Sequence, residues 1–179
     1  MEWTYNGFTL RPARAEDAEA YYLQNYCPLD PEVARLTGSK AVFTREEVIS
    51  FFLRSLEDGD RRFFLLTAPE GQIIGEAVLT DIDWDLRCAN FRICLFREKG
   101  RGLGTWATQR IRDYAFGELG LHRVELDVYS FNPRAMRVYE KAGFRREGVR
   151  RDAIRDGDGY ADDILMAMLE SDWNLFLQK

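Results

Sequence analysis

The sequence predicts a mixed α/β domain, with a central sheet of about seven strands flanked by about four helices. Three observations lead there. Apolar residues alternate with polar ones in several short runs, they recur at helical spacing in others, and glycine- or proline-bearing turns separate the runs. In chain order these read β-α-α-β-β-β-α-β-α-β-β, and no linker, repeat or low-complexity stretch interrupts them. A single domain over residues 1–179 is therefore expected.

Phe8 to Arg11 reads as a strand ended by Pro12, and Ala15 to Tyr26 as a helix opened by Glu16 and Asp17. Cys27-Pro28-Leu29-Asp30-Pro31 breaks the chain. Thr44 with Glu47 three residues on is a capping box, so a helix is expected through Val48, Ile49, Phe52 and Leu56 to Asp58-Gly59. Phe63 to Ala68, Ile73 to Asp81 and Phe91 to Phe96 read as an antiparallel meander, with a turn at Pro69-Glu70-Gly71 and a loop around Trp84. Leu103, Trp106, Ala107, Ile111, Tyr114 and Ala115 form one helical face that ends near Gly117 and Gly120. Val124, Leu126 and Val128 alternate with Glu125, Asp127 and Tyr129 as a strand, after which Asn132-Pro133 caps a short helix to Gly143. Two last strands, about Glu147 to Ile154 and Tyr160 to Leu169, flank Asp156-Gly157-Asp158-Gly159.

Composition removes several classes of function. Apolar residues are 46% and charged residues 31% of the chain, a globular balance. The formal net charge of −5 argues against a nucleic-acid partner, which needs a surplus of Lys and Arg. The first residues have neither the basic nor the apolar region of a signal peptide, and no run of about 18 apolar residues occurs. No membrane partner and a cytoplasmic location are expected. Cys27, Cys88 and Cys94 are odd in number and widely spaced, which suits reduced thiols. With His122 as the one histidine and no Cys-x-x-Cys, no metal is expected.

The strand to Phe96, then Gly100-Arg101-Gly102-Leu103-Gly104-Thr105, then a helix form a strand–loop–helix unit. Its backbone N–H groups and the positive end of the helix dipole suit a phosphate, and Arg97, Lys99 and Arg101 add positive charge. The loop could equally be a solvent-exposed turn. It is not a Walker loop, which requires Gly-Lys-Ser/Thr. Gly102-Leu103-Gly104-Thr105-Trp106-Ala107 does meet a loose Gly-x-Gly-x-x-Gly/Ala dinucleotide pattern, with Glu125 and Asp127 near the offset of a ribose-binding acid. Context opposes that reading, because too few βα units follow for a doubly wound sheet. Asp156-Gly157-Asp158-Gly159 resembles a calcium loop only in part: Tyr160 and Ala167 stand where ligands are required.

Behind the loop lies Val128-Tyr129-Ser130-Phe131-Asn132-Pro133-Arg134-Ala135-Met136-Arg137-Val138-Tyr139-Glu140-Lys141-Ala142-Gly143-Phe144. Taken with the glycine loop, this segment closely resembles the GNAT acetyltransferase superfamily, and most of all the branch of ribosomal-protein N-terminal and polyamine N-acetyltransferases. The pattern runs from about Leu10 to Trp173. Each motif alone is weak; their order makes the signal specific.

The resemblance implies an acetyl-CoA-dependent N-acetyltransferase, in which acetyl-CoA is the co-substrate. The amine acceptor attacks the thioester directly in a ternary complex. Lys99, Gly100, Arg101, Gly102, Leu103, Gly104 and Thr105 correspond to the family's diphosphate loop, with Lys99 where Arg or Gln is usual. Asn132 corresponds to an Asn that touches the coenzyme arm, alongside Arg137, and Tyr139 to a Tyr close to the thioester sulfur. Asn132 is also a natural N-cap, and Tyr139 could be a core tyrosine. A backbone N–H among Ile93, Cys94 and Leu95 is implied for the oxyanion.

The implied chemistry asks for an acid and a base. A phenol's pKa of about 10 is close enough to a thiol's of about 8.5 for Tyr139 to protonate the leaving thiolate. An alkyl ammonium, with a pKa of about 10.4, must lose a proton before it attacks. Many relatives carry Glu where this chain has Asn90, so Asp81 or Glu76 is the expected base. Asp83, Trp84, Asp85 and Tyr160, the last beside Asp162 and Asp163, are candidates for binding a cationic amine, whether a small molecule, a polyamine or a protein N-terminus. The acid-rich first helical region of the polyamine enzymes is replaced here by Cys27-Pro28-Leu29-Asp30-Pro31-Glu32-Val33. Relatives often pair, so a homodimer is compatible. A non-catalytic acyl-CoA-binding regulatory domain is the alternative; it would dispense with Tyr139 or the acids.

Overall fold

The computed structural model describes residues 1–177. By its contacts the chain divides into two compact units, one of residues 1–80 with 92–104 and one of 81–91 with 105 onward.

The first unit begins with a hairpin. Strands β1 (Trp3–Tyr5) and β2 (Phe8–Pro12) pair antiparallel around Asn6 and Gly7, both at positive φ (51° and 84°). Asn-Gly is the strongest short hairpin signal, because it accepts the left-handed backbone of a two-residue turn. β1 is an addition to the expected elements, and Asn6-Gly7 was its mark. The next helix begins as a 3-10 turn (Ala15–Asp17) and continues as α1 (Ala18–Asn25). Another addition is α2 (Pro31–Thr37), which starts on Pro31, the last residue of the stretch read as a chain break. Asp30 caps it by accepting from Glu32 N at 2.8 Å and Val33 N at 3.1 Å, Pro31 opens it, and Gly38 closes it at φ 66°.

Helix α3 (Arg45–Glu57) carries the expected capping box: Glu47 N donates to Thr44 Oγ1 at 3.2 Å and Thr44 N to Glu47 Oε2 at 2.8 Å. Thr44→Ala should lower stability by about 1 kcal/mol, seen as a lower urea midpoint with unchanged slope. β3 (Arg62–Thr67) pairs antiparallel with β2 and with β4 (Ile73–Asp83). Tyr21, Val33, Val48, Phe52, Phe63, Leu65, Val78 and Phe96 form the core of this unit on the helix side of the strands. Its aromatic centre is tight, with ring centroids 4.7 Å apart for Tyr21 and Phe52 and 5.1 Å for Phe52 and Phe63.

In the second unit, the start of β5 (Cys88–Leu95) pairs parallel with β6 (Arg123–Tyr129) over Cys88–Asn90. Val124, Leu126 and Val128 point inward as their alternation predicts. Helix α4 (Leu103–Gly117) buries Ala107, Ile111 and Ala115. Helix α5 (Pro133–Lys141) starts on Asn132, whose Oδ1 accepts from Ala135 N at 3.1 Å. β8 (Gly159–Leu169) runs antiparallel between β6 and β7 (Arg145–Asp156).

An unanticipated α6 (Glu170–Leu177) follows β8. Trp173 anchors it by stacking on Phe116 at 5.7 Å and donating its indole N–H to Asp113 Oδ1 at 3.0 Å. All eight strands belong to one sheet, in the order β1-β2-β3-β4-β5-β6-β8-β7. The mixed α/β class stands, with eight strands and six α-helices among the described residues where about seven and four are expected.

Candidate active site

The glycine loop lies in the first unit. Gly100 and Gly102 take φ of 92° and 79°, conformations that a side chain disfavours. A Cβ built on Gly100 would meet nothing within 4 Å, and one on Gly102 only the Tyr5 hydroxyl at 4.0 Å. Gly100, Arg101 and Gly102 are exposed, whereas Leu103 is buried. Its flanking cations have partners: Lys99 Nζ lies 2.5 Å from Glu32 Oε2 of α2, Arg101 Nε lies 2.8 Å from Glu98 Oε2, and Arg97 donates to the Gln24 carbonyl. Lys99 is thus held by α2.

Ile93, Cys94 and Leu95 lie just ahead of the loop on β5, half-buried. Gly75 of β4 has no room for a side chain, since a Cβ there would stand 2.7 Å from the Cys94 carbonyl oxygen. After β5, Phe96 N and Arg97 N both donate to the Ile74 carbonyl, at 2.9 and 3.2 Å. Gly75 is thus required by packing.

Glu76 follows on β4, half-buried, and accepts a hydrogen bond from the Tyr21 hydroxyl of α1. Burial raises the pKa of its carboxyl, and Tyr21, Arg92 and Arg61 oppose that shift. Tyr26 Oη lies 3.0 Å from Tyr21 Oη. Both phenols are pushed up by burial and then by the Glu76 charge. Tyr21 and Tyr26 are absent from the expected site, because nothing in the sequence near either one points to an acid on β4.

The second unit holds the remaining candidates. Tyr139 of α5 is buried, 5% exposed, and packs edge-on against Phe91 (centroids 6.4 Å, 83°) and Phe144 (6.2 Å, 62°). Arg137 of α5 is exposed, and Thr105 near the start of α4 is half-buried. Asp81 takes a positive φ of 53° and is exposed, as are Asp83, Trp84 and Asp85. Asp83 Oδ1 accepts from Asp85 N and Leu86 N at 3.0 and 2.8 Å, so it shapes its own loop. Tyr160 is 62% exposed with the Arg155 guanidinium over its ring, while Asp163 is buried and paired with Arg150. Among the described residues, no three His, Cys, Asp or Glu side chains group as metal ligands, and Cys27, Cys88 and Cys94 are free thiols. No described helix is long and apolar enough to cross a membrane.

Residues 8–145 match the family model of the acetyltransferase (GNAT) domain. The chain belongs to the GNAT acetyltransferase family. Among its relatives are a probable N-acetyltransferase, YjcK, of Bacillus subtilis, 34% identical over 131 residues and 72% of each chain, and a spermidine N(1)-acetyltransferase of Vibrio cholerae, 30% identical over 127 residues, 70% of this chain and 73% of that one. A crystal structure of spermidine N-acetyltransferase from Vibrio cholerae in complex with CoA and spermine superposes with a TM-score of 0.84. It is 25% identical and covers 95% of this chain and 99% of that one. A ribosomal-protein-S5-alanine acetyltransferase from Vibrio fischeri shares the fold at a TM-score of 0.83 and 20% identity, covering 97% and 98% of the two chains. This GNAT protein is thus an acyltransferase of the N-acetyltransferase type, in the branch its motifs indicate, and the dinucleotide reading of Gly102–Ala107 is set aside.

Proposed function

We propose that this GNAT protein, working as a single acetyltransferase domain, moves the acetyl group of acetyl-CoA to a primary amine, either of a small molecule, polyamines included, or of a protein N-terminus. The observation that carries the cofactor half is the turn at Gly100 and Gly102, where positive φ and open space beside both Cα atoms leave room for an anion against the loop. Support for the amine half comes from the Vibrio cholerae relative, named for acetylating spermidine. Acetyl-CoA supplies an activated thioester. Gly100, Gly102 and Gly104, with Lys99, Arg101, Leu103 and Thr105, hold its diphosphate; Asn132 and Arg137 hold its arm. Because the helix cap uses Asn132 Oδ1, Nδ2 is the atom left to donate.

Glu76 is the better base of the two expected. Asp81 is exposed, whereas the Glu76 carboxyl is half-buried, and burial raises its pKa, which makes it the stronger proton acceptor. A main-chain N–H among Ile93, Cys94 and Leu95 stabilises the oxyanion, and Tyr139 protonates the departing thiolate. The exposed Asp83, Trp84, Asp85 and Tyr160 attract the cationic acceptor from solution. Free thiols accord with a cytoplasmic location. A solved spermidine N-acetyltransferase of Vibrio cholerae is dodecameric, so self-association belongs to this reading, with a homodimer as the smallest form.

A thiol-release screen over polyamines, aminoglycosides, amino acids and short peptides tests the acceptor. Turnover of at least one amine is expected, and acetyl-CoA binding with no turnover of any would favour a regulatory acyl-CoA domain instead. Gly102→Val tests the cradle. The new Cβ meets no close neighbour, so the change acts through the backbone: strain of about 1–3 kcal/mol at positive φ pulls the loop out of shape. The calorimetric Kd for acetyl-CoA should rise about tenfold or more.

A further inference from the structure

We infer that Tyr26, Tyr21 and Glu76 form a directed hydrogen-bond chain in which the two tyrosines are positioning residues, holding the Glu76 carboxylate ionised and fixed in aim for its work as base. This rests on the reading of Glu76 as the base.

The direction follows from proton count. A phenol carries one proton, and an ionised carboxylate can only accept. Tyr21 gives its proton to Glu76, so the 3.0 Å contact between the two hydroxyls is filled by Tyr26 donating to Tyr21. Both donors therefore point toward the acid, and each strengthens the other in the low-dielectric surroundings. Ring packing fixes the chain. Tyr21, 1% exposed, packs against Phe52 (4.7 Å) and edge-on against Phe63 (5.9 Å), and Tyr26 lies against Phe43 (5.4 Å) and Phe96 (5.7 Å). Tyr21 and Tyr26 rings are themselves 5.1 Å apart.

The arrangement answers a specific problem. A carboxyl among these aromatic rings resists ionisation, and a protonated acid cannot take a proton from an ammonium. The groups facing Glu76 are Tyr21 of α1, Tyr26 just after it, Arg61 ahead of β3, and Arg92 and Cys94 of β5. Burial raises the Cys94 thiol, so it stays neutral, and the two arginines act at longer range than a hydrogen bond. Tyr21 is the one direct donor in this set, and Tyr26 polarises it.

The test uses the full chain with Tyr21→Phe, Tyr26→Phe and Glu76→Gln. The Glu76 titration midpoint is followed by carboxyl carbon-13 NMR, and the pH profile of kcat/KM with the best amine found in the screen. Phe retains the ring contacts. In Tyr21→Phe the midpoint should rise by about one pH unit, and the acid limb of the profile should move with it. Two pH units below the midpoint this lowers kcat/KM about tenfold, with recovery at higher pH. Tyr26→Phe should shift both readouts the same way by less, and remains informative should Tyr21→Phe not fold. Midpoints unmoved in both variants overturn the inference whatever Glu76 does. Undiminished activity in Glu76→Gln overturns the base reading, whereas loss there with unmoved midpoints leaves the base standing and removes only the tyrosines.

Discussion

Replacing Tyr139 with Phe is expected to lower kcat by about 10²–10⁴-fold, the usual worth of a positioned proton donor, while the protein stays folded. The substitution is well suited to its purpose. Tyr139 is buried with its ring edge-on to Phe91 and Phe144, and Phe keeps every ring contact while removing only the hydroxyl. Stability should change by about 1 kcal/mol, the net worth of an ordinary hydrogen bond. The KM for acetyl-CoA should hold, because donating to the departing sulfur is an interaction made in the transition state. The measurement is a steady-state thiol-release assay beside a urea melt. An unchanged kcat with an unchanged melt makes Tyr139 a packing residue.

Phe52→Ala should cost about 3–5 kcal/mol of stability, read as a lower urea midpoint. Phe52 is fully buried in α3, 0% exposed, between the rings of Tyr21 and Phe63. Its removal leaves a cavity lined by stiff rings that cannot collapse to fill it. A loss of that size is a large share of the 5–15 kcal/mol that is typical of a folded domain. Activity below the melting range should also fall, because Phe52 braces Tyr21, whose hydroxyl bonds Glu76.

Much of the fold is legible in short stretches of sequence. Thr44 and Glu47 close their capping box, Asn132 caps α5, and Val124, Leu126 and Val128 turn inward. The omitted elements were legible too. Asn6-Gly7 marks the first hairpin, and Asp30-Pro31 with Gly38 brackets α2. Two prolines within Cys27–Pro31 conceal that helix start, since proline both breaks a chain and opens a helix. For α6 the signals are fainter: Trp173 faces Phe116 and Asp113, residues it meets only after the chain has turned back.

By itself, the sequence determined the mixed α/β class, the glycine loop with its cationic flank, and the order of motifs that places the chain in its family. These depend on neighbours within a few residues, through caps, alternation and the freedom of glycine at positive φ. Tertiary structure alone decided how Glu76 and Lys99 are held. Tyr21 and Glu76 are 55 residues apart, and Glu32 and Lys99 are 67 apart. Such pairs form when α1 and α2 come to rest beside β4 and β5, and a carboxyl gains its environment from what is packed around it rather than from what precedes it in the chain.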